Sequence, residues 1–175
     1  MNRAGLLPIA LIGAVLILAT ACGGQADTPT SEPRPTFTPT PTPTPPVPKP
    51  GCEGPTLEIS VKGEALQFDN DRLEATAGTE VVLCLNNVSI VNQHNWVLVQ
   101  DGTKDDVAKR GLEAGPANGW VQPGDPDVVA HTGLVNPGET GEVRFTAPPP
   151  TVAYEFVCTF PGHNLTMSGD FVVTP

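Results

Sequence analysis

The residues with the most chemistry in this 175-residue chain lie close together near its end, in Cys158-Thr159-Phe160-Pro161-Gly162-His163-Asn164-Leu165-Thr166-Met167. One short segment carries a thiol, an imidazole and a thioether, which are soft and borderline ligands suited to copper. Copper passing between Cu(I) and Cu(II) prefers opposite geometries in its two states. A site serving both uses two imidazoles and a thiolate in a plane, with a weak, distant thioether on the axis. The missing imidazole is available in Gln93-His94-Asn95-Trp96-Val97. The expected ligand set is therefore His94, Cys158, His163 and Met167, around one copper ion cycling between Cu(I) and Cu(II). Zinc fits less well, because it does not favour a thioether and has no redox function.

The chain has three histidines. With two assigned to the site, only His131 is left, which cannot build a second metal centre, so enzymes of the copper nitrite reductase and multicopper oxidase type are excluded. The remaining roles are a single-electron carrier or a copper-binding carrier without electron transfer. Carriers of the second kind tend to use open, Met- and His-rich sites and lack a Cys borne on a strand. His163 sits in a loop beside Pro161 and Leu165, so its ring edge, within an apolar patch, is the expected electron port.

Short apolar runs bounded by Gly, Pro, Asn and Asp must position these ligands, and they describe an all-β sandwich. Candidate strands are 56–61, 65–68, 72–75, 80–85, 95–99, 128–131, 141–146, 153–158 and 169–173. Period-two alternation is plain in Glu142-Val143-Arg144-Phe145-Thr146 and in Tyr154-Glu155-Phe156-Val157-Cys158, so each presents one face to a core. The stretch from Asp101 to Gly124 lacks alternation and reads as a flap carrying a short helix near 105–113. Trp96, two positions after His94, is expected in the core and not as an electron relay.

The front of the chain is different. Residues 1–22 combine Arg3, an apolar run and small residues before Cys22, as in a secretory signal. Leu18-Ala19-Thr20-Ala21-Cys22 resembles a bacterial lipobox, which would lipidate Cys22; an uncleaved peptide anchor and a freely secreted protein are the alternatives. Residues 23–50 are built of Thr and Pro, a disordered, stiff spacer reaching about 3.1 Å per residue. Residues 51–175 form the one folded domain. The expected location is the periplasm or the outer face of the cell membrane, with the chain tethered there. Net charge is −10, which disfavours nucleic acid and favours cationic partners. Cys52 and Cys84 are left over once Cys22 and Cys158 are assigned; in an exported protein they suggest a disulfide, with a buried free Cys84 as the competing reading.

His94-Asn95-Trp96-Val97 together with Cys158-Thr159-Phe160-Pro161-Gly162-His163 and Met167 resembles the azurin and auracyanin branch of the cupredoxins, the type 1 (blue) copper proteins. Gln67-Phe68-Asp69, Val129-Ala130-His131-Thr132, Gly138-Glu139, Val143-x-Phe145 and Tyr154-x-Phe156-x-Cys158 extend the likeness over nearly all of residues 51–175. The resemblance implies a Greek-key sandwich of about eight strands. It implies electron transport in a photosynthetic or respiratory chain, between cytochromes, a quinol-oxidising complex, and a reaction centre or oxidase. It implies that Asn95 and the backbone around Thr159 and Phe160 hydrogen-bond the Cys158 sulfur, and that the Gln93 carbonyl approaches copper opposite Met167. It also places His131 on the surface.

Overall fold

The computed structural model describes Cys52, Gly54 and residues 56–175. The signal, spacer and Cys22 expectations lie outside the described residues. Runs of β-branched and aromatic residues broken by Gly and Pro form eight strands among the described residues: β1 (Leu57–Ser60), β2 (Arg72–Thr76), β3 (Glu80–Asn86), β4 (Val97–Gln100), β5 (Val128–His131), β6 (Thr140–Thr146), β7 (Tyr154–Val157) and β8 (Ser168–Thr174). They make two sheets, ordered β1-β3-β6 and β2-β8-β7-β4-β5. The β1/β3 and β2/β8 pairs are parallel and the others antiparallel. The fold is a cupredoxin-like Greek-key sandwich.

The core between the sheets is filled from alternate positions, as the period of a strand requires. Val81, Leu83 and Leu85 of β3 meet Leu98 of β4, Tyr154 and Phe156 of β7, and Phe171 of β8. Trp96 is fully buried there, stacked on Phe156 and flanked by Phe145 and Phe171. β3 departs from simple alternation because its outer face is covered too. Thr56 exchanges hydrogen bonds with Val82, and Cys84 is bonded to Cys52, their Cα atoms 6.0 Å apart, a separation disulfides accept.

The flap carries helix α1 (Lys104–Ala114). It lies over the outer faces of β4 and β7, where Val97, Val99 and Val157 form a second cluster with Val107 and Val121. Two ionic clasps hold it. The Glu155 carboxylate accepts from the Gly102 and Lys104 N–H groups and from Lys104 Nζ, and Arg110 grips Asp125 with two nitrogens while also reaching Asp127.

The segment 65–68 is not a strand. Tight turn bonds, Ala65 N–H to the Lys62 carbonyl and Lys62 N–H to the Gln67 carbonyl, fold it back on itself, leaving a single bridge from Phe68 to Val61. No helix among the described residues is long and apolar enough to cross a membrane.

Candidate metal centre

Three separate pieces of chain meet at one end of the sandwich. β7 runs directly into Cys158, and the residues after it are shaped by their own chemistry. Phe160-Pro161-Gly162-His163 closes a turn with the His163 N–H on the Phe160 carbonyl, 2.9 Å. Pro161 sets the first central residue, and Gly162 takes φ 82°, ψ −7°, the left-handed position that a type II turn reserves for glycine. A short 3-10 turn over His163–Leu165 follows. Met167 N–H then returns to the His163 carbonyl and Cys158 N–H reaches the Met167 carbonyl, so the loop is closed by its own backbone.

His94 arrives before β4 through an isolated bridge to Val135, with bonds of 3.1 and 2.8 Å. The loop preceding it is organised by groups that sequence reasoning missed. Buried Asn87 donates to the carbonyls of Asn92 and Val135 and accepts from the Ser89 N–H. The Glu64 carboxylate accepts from Ser89 Oγ, Ile90 N–H and Asn92 Nδ2. Asn87 lies in a polar stretch without periodicity and Glu64 is distant in sequence, so neither carries a local signal.

The result is a buried triangle of donor atoms. Cys158 Sγ lies 3.8 Å from His94 Nδ1 and 3.6 Å from His163 Nδ1, and the two nitrogens are 3.2 Å apart. A point equidistant from all three is about 2 Å from each, the length of metal bonds to imidazole and thiolate. Polar atoms converging in a core without a full set of partners are costly, whereas a soft metal ion between them satisfies all three. His94, Cys158 and His163 thus form a metal-binding group whose donors fit copper. Met167 is fully buried within the same loop. The Gln93 side chain hydrogen-bonds Asn136 Oδ1.

Electrostatics keep the donors ready. Burial, reinforced by the neighbouring His163, pulls His94 down to about 4 against a smaller upward pull from Glu64, and burial also lowers His163. Both imidazoles are therefore neutral, the ligating form, at neutral pH. Burial pushes the Cys158 thiol up to about 11, while the backbone N–H groups of Asn95 and Phe160 offset part of that by hydrogen-bonding the sulfur. The Thr159 N–H instead goes to Asn95 Oδ1 at 2.8 Å, and Asn95 Nδ2 donates to Thr159 Oγ1 and the Gly119 carbonyl. Asn95 therefore ties the His94 segment, the Cys158 loop and the flap together.

Only one ligand comes near solvent. His163 is 5% exposed, and Leu165 beside it is 79% exposed, with Pro161 half-buried. His131 is exposed on β5, its Nδ1 against the Thr132 carbonyl.

Residues 55–174 match the family of copper binding proteins described as plastocyanin/azurin. Auracyanin-A of Chloroflexus aurantiacus is 43% identical over 123 residues, 69% of this chain and 75% of that protein. Azurin of Pseudomonas chlororaphis is 40% identical over 82 residues, 46% of this chain and 64% of that protein. Among solved structures, auracyanin A, titled a "blue" copper protein, superposes with a TM-score of 0.65 at 42% identity, covering 69% of this chain and 100% of its own. Dithionite-reduced auracyanin of Roseiflexus castenholzii gives 0.64 at 31% identity, covering 68% and 96%.

Proposed function

The chain belongs to the plastocyanin/azurin family of copper-binding proteins, and from that premise we propose that it carries single electrons between membrane-associated redox complexes or cytochromes. The observation that carries this reading is the closed triangle of Cys158, His94 and His163 donors, buried in a sandwich that leaves one ligand edge near solvent. Copper held there by His94, Cys158 and His163 would supply a one-electron Cu(I)/Cu(II) couple, with Met167 and the Gln93 backbone carbonyl as the residues that would complete its coordination.

The chain's own residues do the rest. Rigid backbone closure of the 158–167 loop and the Asn95 clasp hold the donors in one arrangement for both oxidation states, so little reorganisation accompanies transfer. Hydrogen bonds from Asn95 and Phe160 N–H to the sulfur withdraw charge from it and tune the potential. Burial excludes water from all but the His163 edge, where Pro161 and Leu165 offer a small apolar contact suited to brief redox encounters. The acidic surface steers cationic partners at low salt. The N-terminal segment tethers the domain outside the cell membrane through a lipid on Cys22 or a peptide anchor, with residues 23–50 as the spacer.

A copper-delivery role is not favoured, since delivery needs donors that a recipient can reach and these are closed in. The copper-loaded protein should take up and return one electron per chain, and the reduced form should pass it to a cationic cytochrome at a rate that falls with salt. A protein that binds copper but exchanges no electron would overturn electron carriage and restore the delivery reading.

A further inference from the structure

Trp120 is the one non-glycine residue with positive φ, 62°, among the described residues. That region crowds Cβ against the backbone and is a true outlier for a bulky side chain; such outliers persist only where the surroundings hold them. Here they do. Its N–H donates to the Gly115 carbonyl at 3.2 Å and the next N–H, of Val121, to the Asn118 carbonyl. The preceding carbonyl, of Gly119, is held by Asn95, the residue beside the ligand His94. The Trp120 carbonyl itself lies so close to Gly111 of α1 that a Cβ there would collide with it.

What this arrangement secures is the place of the indole. Its ring meets Phe160 edge-on, centroids 5.9 Å apart at 75°, and Phe160 in turn lies 4.7 Å from the His163 imidazole, tilted by 43°. The indole N–H is buried without a partner, so no hydrogen bond fixes the ring; its place is set by the backbone and by contact with Phe160. A glycine would adopt the same backbone without strain, yet a large aromatic stands here.

We propose that Trp120 is a positioning residue for the electron port: its indole, held by a strained flap backbone, wedges Phe160 against His163 and fixes the orientation of that imidazole. The proposal rests on the electron-carrier reading for its purpose, but the wedge exists with or without the metal.

The test therefore begins on metal-free wild-type protein by NMR, where Overhauser contacts from the Trp120 indole to Phe160, and from Phe160 to the His163 ring, are expected. Their absence overturns the proposal. Trp120→Gly removes the ring while relaxing the backbone, Trp120→Ala removes the ring and keeps the strain, and Trp120→Phe keeps an aromatic edge and drops the orphaned N–H. In both ring-deleted variants the His163 resonances of the metal-free protein should broaden, and the copper-loaded forms should show an altered copper EPR spectrum, a shifted potential and several-fold slower electron self-exchange. Trp120→Phe should restore all four. Ring-deleted variants indistinguishable from wild type overturn the wedge, and the wild-type Overhauser contacts decide the matter if those variants do not fold. Failure of wild type to exchange electrons would instead strike the electron-carrier reading and leave the wedge standing.

Discussion

Replacing Asn95 by Ala should cost more than its single side chain suggests, because that side chain serves three segments. It makes three hydrogen bonds of 2.8 to 2.9 Å, to the Thr159 N–H, Thr159 Oγ1 and the Gly119 carbonyl, from a fully buried position. A buried polar group left unpaired costs about 1–3 kcal/mol. The Thr159 hydroxyl can rotate to another partner and the Gly119 carbonyl is only partly buried, so a loss of about 3 kcal/mol follows, most of it from the Thr159 N–H. Measured on metal-free protein, to keep copper binding out of the balance, and with a urea slope of about 1.5 kcal/mol/M, the midpoint should fall by about 2 M. Far-ultraviolet circular dichroism through a urea titration reads this directly. A midpoint lowered by less than about 0.4 M would mean that the clasp does not join the three segments energetically, and the argument for a rigid site built on it would fail.

Asp125 is held below the usual carboxylate range chiefly by its hydrogen bonds from Arg110, and its side chain is 0% exposed. A depressed folded-state pKa gives stability that is complete above the unfolded value and is lost as pH falls through the folded one. Asp125→Asn should therefore cost about 2 kcal/mol at pH 7, and the gap from wild type should close below about pH 4 in acid-melting curves. Removing the Cys52–Cys84 bond, which spans 32 residues, by a double Cys→Ala change should cost about 3–4 kcal/mol on the chain-entropy scale, read by urea unfolding of the metal-free protein. Copper uptake should release one proton between pH 7 and 8, since the thiol sits at about 11 and both imidazoles are already neutral, so affinity rises about tenfold per pH unit. Release of none or of two, measured in weak buffer, would contradict this assignment of protonation states.

The metal centre was legible in the sequence because its loop is local. The Cys158 thiol and the His163 imidazole lie within six residues, and Pro161-Gly162 announces the turn that presents them. The strands were legible for the same reason, since apolar alternation is a short-range pattern; α1 differs from the expected 105–113 by one residue at each end. What remained hidden depends on contacts between distant segments. Glu64 orders the loop before His94 from about 25 residues away, and Trp120 acts on Phe160 from the far end of the flap. Both are unremarkable residue types in polar, non-periodic surroundings. The 65–68 segment misled because Phe68 is a core residue, yet burial of one side chain does not require a ladder when turn bonds satisfy the backbone.

The most direct check on the convergence of His94, Cys158 and His163 is X-ray absorption at the copper edge on protein loaded with one equivalent of the metal. One short sulfur neighbour and two imidazole nitrogens are expected, with Cys158→Ser losing the sulfur. A first shell of oxygen and nitrogen alone in the wild type, or a short sulfur neighbour that survives Cys158→Ser, would contradict it.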